Sequence, residues 1–156
     1  MTTPGQGFEP ASGDGPAAPE AGRAAELRTA YEGLLQIRRL VNGPAGATVP
    51  APWERRLMVR AVALVLEAAG IAPSACDPRD PAGPRTRNGY RVGPAASGAG
   101  RVEVTWLGPP GGGAAEEEQE RLTACAAALE PLGWVCLLYR GPRRRRFLEV
   151  EPPPAP

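Results

Sequence analysis

Apolar residues recur at spacings of three and four from Gly22 to Val41. Leu27, Ala30, Leu34, Ile37 and Val41 fall on one face of a helix, and Tyr31 and Leu35 widen that face. Arg28, Glu32 and Arg39 fall largely away from it. The pattern predicts a helix over residues 23–41, closed by Asn42-Gly43-Pro44, a left-handed cap candidate followed by a residue that cannot continue a helix. A second helix is expected to open at Pro52, whose fixed φ and missing N–H suit a first turn. There Trp53, Leu57, Ala61, Leu64, Val65 and Ala68 share a face, and Met58, Val62 and Leu66 carry apolar character nearly all round. Only the line Arg56, Arg60, Ala63, Glu67 reads as wet, which predicts a central, buried helix. Gly70, Ile71 and Pro73 supply its end.

Residues 72–89 hold several prolines and no apolar period, so they are expected to form a long irregular loop, a feature that is uncommon inside compact domains. Tyr90-Arg91-Val92 reads as a short strand. In Arg101–Leu107, Val102, Val104 and Trp106 alternate with Arg101, Glu103 and Thr105, the period of a strand with one buried face. A Pro/Gly linker, residues 108–113, leads to a third helix. Its opening carboxylates Glu116, Glu117, Glu118 and Glu120 face the positive end of the helix dipole, and its apolar line is Ala115, Leu122, Ala126 and Leu129. Trp134–Arg140 and Arg146–Glu151 then read as two further strands.

The predicted fold is α+β: an N-terminal helix followed by α-β-β-α-β-β. The two halves resemble one another. Leu66-Glu67-Ala68-Ala69-Gly70 matches Leu129-Glu130-Pro131-Leu132-Gly133, Tyr90-Arg91-Val92-Gly93-Pro94 matches Tyr139-Arg140-Gly141-Pro142, and Val102-Glu103-Val104 matches Leu148-Glu149-Val150. Such matches fit a duplicated αββ unit that makes one four-stranded antiparallel sheet with its helices on one face. A restricted Ala/Gly/Arg/Leu alphabet produces matches of this kind as well. Residues 1–22 are rich in Pro, Gly and small polar residues and are expected to be disordered, as are residues 152–156, leaving one domain over 23–151. Helix 23–41, set apart by Asn42–Ala51, either packs on that domain or mediates self-association.

Composition narrows the chemistry. The chain has 156 residues with no histidine, and all 18 basic residues are arginine. Abundant Gly, Pro and Ala suggest a GC-rich coding sequence, in which Arg often stands where Lys would otherwise be. Without His there is no Ser-His or Cys-His dyad and no His-containing zinc site; without Lys there is no Schiff base and no phosphate-loop lysine. A net charge of +1 gives no global attraction to nucleic acid or to an anionic membrane. The most apolar window, Leu57–Ile71, carries Arg60 and Glu67 and is too short to span a bilayer. No secretory signal is visible, and three scattered cysteines fit reduced thiols, so a cytoplasmic location is expected.

Three groups of residues remain as candidates. Asp77, Asp80, Glu103 and Glu149 would serve acid–base or metal chemistry only if the fold gathered them, and Asp-Pro steps and a wet strand face explain them equally well. Cys125 and Cys136 read as small core residues, while Cys76, in the loop near Arg79, is the one candidate reactive thiol. The arginines stand out most: Arg143, Arg144, Arg145 and Arg146 at the last hairpin with Arg140 before them, and Arg85, Arg87 and Arg91 along the loop and first strand. Brought to one end of the sheet they would suit phosphate contacts, although charge at a hairpin tip also guards edge strands. The chain is therefore expected to be a non-catalytic interaction protein. It would bind another protein or itself through its sheet edge, Arg hairpin or first helix, without cofactor, metal or membrane. The alternative is a nucleic-acid-binding accessory factor using the Arg-rich hairpin.

Overall fold

A computed structural model describes residues 7–44, 46–141 and 145–154. Helices α1 (Arg23–Asn42), α2 (Pro52–Arg56), α3 (Met58–Ala68) and α4 (Ala114–Leu129) accompany strands β1 (Ala75–Cys76), β2 (Arg85–Arg87), β3 (Gly89–Pro94), β4 (Val102–Leu107), β5 (Val135–Arg140) and β6 (Arg146–Glu151). β3, β4, β6 and β5 form, in that order, a four-stranded antiparallel sheet, and β1 with β2 forms a separate two-stranded one. The fold is α+β with its N-terminal helix first. The segment expected to be an irregular loop contains β1 and β2.

Alternation sets the sheet's two faces. Tyr90, Val92, Val102, Val104, Trp106, Leu148 and Val150 point inward and are buried with α3 and α4. α3 touches the sheet, α1, α4 and the N-terminal segment, and Ala61 through Leu66 are all buried, as a helix apolar all round requires. The helix expected to run unbroken from Pro52 is interrupted at Leu57 (φ −124°, ψ 56°). The break turns Trp53 and Glu54 inward and leaves Leu57, expected on the buried face, exposed.

The buried line of α1 also differs from the expected stripe. Ala30, Leu34 and Arg38 are buried, while Val41 and Leu40 are exposed. The Arg38 guanidinium lies wholly inside the protein. Its Nε and Nη2 donate to the two Glu54 oxygens at 2.8 and 2.6 Å, and Nη1 donates to the carbonyls of Ala47 and Leu132 at 3.0 and 2.6 Å. Glu54 accepts in addition the amide of Ala51 at 2.9 Å. This buried ion pair thus ties together α1, α2 and the two adjoining turns that hold Ala47 and Leu132.

The N-terminal segment, expected to be disordered, lies against the body from Phe8 to Gly15. Phe8 is buried under the Arg23 guanidinium, 4.6 Å from its ring centre. Glu67 accepts the amide of Ala11 and pairs with Arg23, Arg60 donates to Glu9 and to the Phe8 carbonyl, and the Tyr90 hydroxyl donates to the Ala11 carbonyl. The polar line Arg60, Ala63, Glu67 that reads as solvated in the sequence is therefore the seat of this strap, and Ala63 is buried. Further on, the Val92 amide donates to Ser12 and the Cys76 amide to Gly15. Gly13, at φ +95°, comes so close to the Tyr90 carbonyl that a Cβ would overlap it. Beside the strap, Pro73 bridges Tyr90 in parallel, with Tyr90 donating to Ala72 and Ser74 to Tyr90. The free edge of β3 is thus covered by the chain itself.

The sheet has an internal two-fold arrangement. Glu103 faces Glu149, with Val102 facing Val150 on one side and Val104 facing Leu148 on the other. A rotation through the Glu pair exchanges residues 102–104 with 148–150, in line with the match between those segments in the sequence. The same rotation carries Val92 onto Cys136 and Tyr90 onto Trp134, both of the latter pair being fully buried. Tyr90 and Tyr139, aligned in the sequence, are not equivalent in the fold, because the rotation places Tyr139 beyond the end of β3.

Candidate protein-docking edge

β5 is an edge strand, and its side chains are the most exposed apolar group of the sheet. Leu137 is 49 % exposed, Tyr139 42 %, Leu138 38 % and Val135 36 %. Val135, Leu137 and Tyr139 lie on the outer face, where Tyr139 stacks on Phe147 with ring centres 5.4 Å apart. Leu138 lies on the helix face and is exposed there. From Val135 to Tyr139 the strand carries no charge, proline or bulge, the devices that usually blunt an edge. The Gly141 amide donates to the Arg145 carbonyl, so by antiparallel alternation Tyr139, Leu137 and Val135 exchange their backbone bonds with β6. The N–H and C=O groups of Cys136, Leu138 and Arg140 consequently point away from the sheet. Among the described residues no segment pairs with them.

Other exposed large apolar residues sit in segments that are linked to the ends of β5 and β6 by backbone contacts. Gly133, just before β5, abuts the Thr48 carbonyl, which places Val49 beside the strand's start. Asn42 donates to the Val49 carbonyl and so brings Leu40 and Val41 near. Leu57 follows Arg55, which donates to Pro153 just past the end of β6, itself paired with the start of β5.

The structure brings Arg140, Arg145 and Arg146 to the same end of the sheet as Arg85, Arg87 and Arg91, since Gly89 pairs with Leu107 and Arg145 donates to the Trp106 carbonyl. Four of the six that are described already hold counter-charges. Arg85 and Arg91 pair with Asp14 of the strap at 2.7 and 2.9 Å, and Arg85 donates also to the Gly13 carbonyl. Arg145 donates to the buried Glu118 at 2.8 Å, and the Arg146 amide donates to the same carboxylate at 2.6 Å. Arg87 and Arg140 are exposed and form no ion pair among the described residues. Arg143 and Arg144 lie outside the described residues.

The fold does set Glu103 directly opposite Glu149. Two like charges there are accommodated by the neighbouring loop: the Ala96 amide donates to Glu103, the Ser97 hydroxyl donates to Glu149 at 2.7 Å, and Arg101 pairs with Glu151 at 2.7 Å and lies 3.8 Å from Glu149. Asp77 and Asp80 shape a turn, with the Arg79 amide donating to Asp77. No three His, Cys, Asp or Glu side chains gather as a metal site among the described residues. No helix among them is long and apolar enough to cross a membrane.

Cys76, expected to be exposed in a loop, is buried in β1. Burial pushes the Cys125 and Cys136 thiols up to about 12 and raises the Tyr90 phenol well above its ordinary value. In the unfolded chain these thiols ionise near 9.0, so above that pH the unfolded state binds fewer protons than the folded one. Folding stability is expected to be level below about pH 9 and to fall as pH rises toward about 12. Urea midpoints at a series of alkaline pH values check this, and Cys125→Ala should flatten the decline.

No protein-family model, curated protein or solved structure matches the chain.

Proposed function

We propose that this protein is a non-catalytic interaction module that docks another protein chain on the open edge of β5. The observation that carries this reading is the contrast between the two sheet edges. β3 is closed by the strap and by residues 72–74, whereas β5 offers outward backbone groups flanked by exposed Val135, Leu137, Leu138 and Tyr139. An added strand would satisfy the amides and carbonyls of Cys136, Leu138 and Arg140 and cover apolar area at once, the physics of strand addition. Burying one such side chain contributes about 1.5–3 kcal/mol. The pairing of Arg85, Arg91, Arg145 and Arg146 with carboxylates leaves less positive field for a phosphate backbone, which favours a protein partner.

The test is a photo-crosslinking residue placed at Leu137, with a control at Arg79 in the turn distant from β5, expressed in the cells that make the protein. A discrete protein adduct from position 137 and none from position 79 is the expected result. Absence of any adduct at 137 would overturn the reading.

A further inference from the structure

We infer that the chain seated on β5 is a second copy of this protein, joined through antiparallel β5–β5 pairing about a two-fold axis. This rests on the reading of β5 as a docking edge and names its occupant.

The strand is its own complement. In antiparallel pairing, opposed residues share a face, so a symmetric pair must be centred on a residue rather than between two. Centring on Leu137 sets Val135 opposite Tyr139 and Leu137 opposite its own copy, giving an unbroken apolar band on the outer face. Centring on Leu138 opposes Cys136 and Arg140 and leaves the same outer residues interleaved. Either register uses the outward groups of Cys136, Leu138 and Arg140, the set that β6 leaves free. The two four-stranded sheets then become one continuous sheet, and neither edge of β5 stays open.

Charge supports a copy over an unrelated strand. The single charge on β5 is Arg140, at its end, and in these registers it falls opposite Trp134 or Cys136 of the copy. Glu130 lies at the Trp134 end of the strand: its carbonyl accepts the Gly133 amide just before β5, and its side chain is exposed. Neither Arg140 nor Glu130 forms an ion pair among the described residues. The rotation therefore brings Arg140 of each copy toward Glu130 of the other, twice per dimer, and opposes no like charges.

Light scattering on the full chain through the micromolar range tests this, together with Arg140→Glu, Glu130→Arg and the double reversal. The expected results are a particle of twice the chain mass, each single reversal weakening association roughly tenfold, and the double variant recovering it. Circular dichroism confirms that all of them fold. A wild type that stays monomeric across that range, or a double reversal no better than either single one, overturns the proposal. A monomer that nonetheless crosslinks a different protein at position 137 leaves the docking edge standing and removes only the self-pairing. A chain that gives neither dimer nor adduct removes both.

Discussion

Arg38→Met is expected to cost about 3–5 kcal/mol of folding stability, close to the whole stability of many small domains. Both partners of the ion pair are fully buried, with 0 % side-chain exposure on each. Methionine would fill much of the volume but leave the Glu54 carboxylate without its counter-charge, and the carbonyls of Ala47 and Leu132 without a donor. The penalty comes from the charge left behind more than from the bond removed. Arg38→Met combined with Glu54→Leu should therefore recover a large part of the loss, because two apolar residues of similar volume replace a buried pair at little cost. Recovery should stay incomplete, since the Ala51 amide loses its acceptor as well. Urea unfolding of the three variants reads the effect as a shift in midpoint at constant slope. A single variant within about 1 kcal/mol of wild type would mean that the pair is solvated and the clamp is not as described.

Phe8→Ala should have the next largest effect, and a local one. Truncating a buried phenylalanine costs about 3 kcal/mol or more. The strap has another course besides absorbing that cost: it can leave. Ordering each of its residues opposes docking by about 1–2 kcal/mol, and release returns that entropy. The global loss is thus capped by the strap's own net docking free energy, while its local opening is not. The Val92 amide, bonded to the Ser12 carbonyl at 2.8 Å, is expected to exchange with solvent roughly a hundredfold faster in the variant, the factor that about 3 kcal/mol implies. Amides in α3 should change far less. Equal protection of Val92 in both proteins would show that Phe8 does not hold the strap. Gly13→Ala should release it by a different route, through the clash with the Tyr90 carbonyl.

The strap shows why some of the fold is hidden from a sequence. Residues 8–15 carry one large apolar side chain among Pro, Gly, Ala, Ser and two carboxylates, so composition alone gives no reason for order. Their order comes from Arg23, Arg60, Arg85, Arg91 and Glu67, residues that lie up to 77 positions away, counting the Arg91–Asp14 pair. The same holds for the clamps. Arg38 reads as one polar residue beside an apolar stripe, and it becomes internal only because Glu54 and the Leu132 carbonyl, 16 and 94 residues away, meet it. Glu118 reads as a helix-dipole charge and proves to be the buried anchor of the last hairpin.

For the docking edge, the sequence supplied the strand but not its place. Trp134–Arg140 is an apolar run of the kind that usually marks a strand covered on both faces. Nothing in such a run says whether it lies at the centre of a sheet or at its rim. The arginines drew attention because charge is conspicuous along a chain, yet their significance depends on Asp14 and Glu118, which only the fold brings to them.

What the sequence determined by itself is local: the helices from their three-and-four spacing, β4 from its alternation, the α+β order, and the chemistry that a chain without His and Lys lacks. Each follows from a short window, because a helix or strand must bury one face whatever it meets. The tertiary structure alone decided which polar groups are buried, which edge is closed by its own chain, and which apolar strand is left with a vacant side. Those outcomes are set by pairings between distant residues, and whether a side chain meets water, a counter-charge or another strand is a property of the partner rather than of the residue.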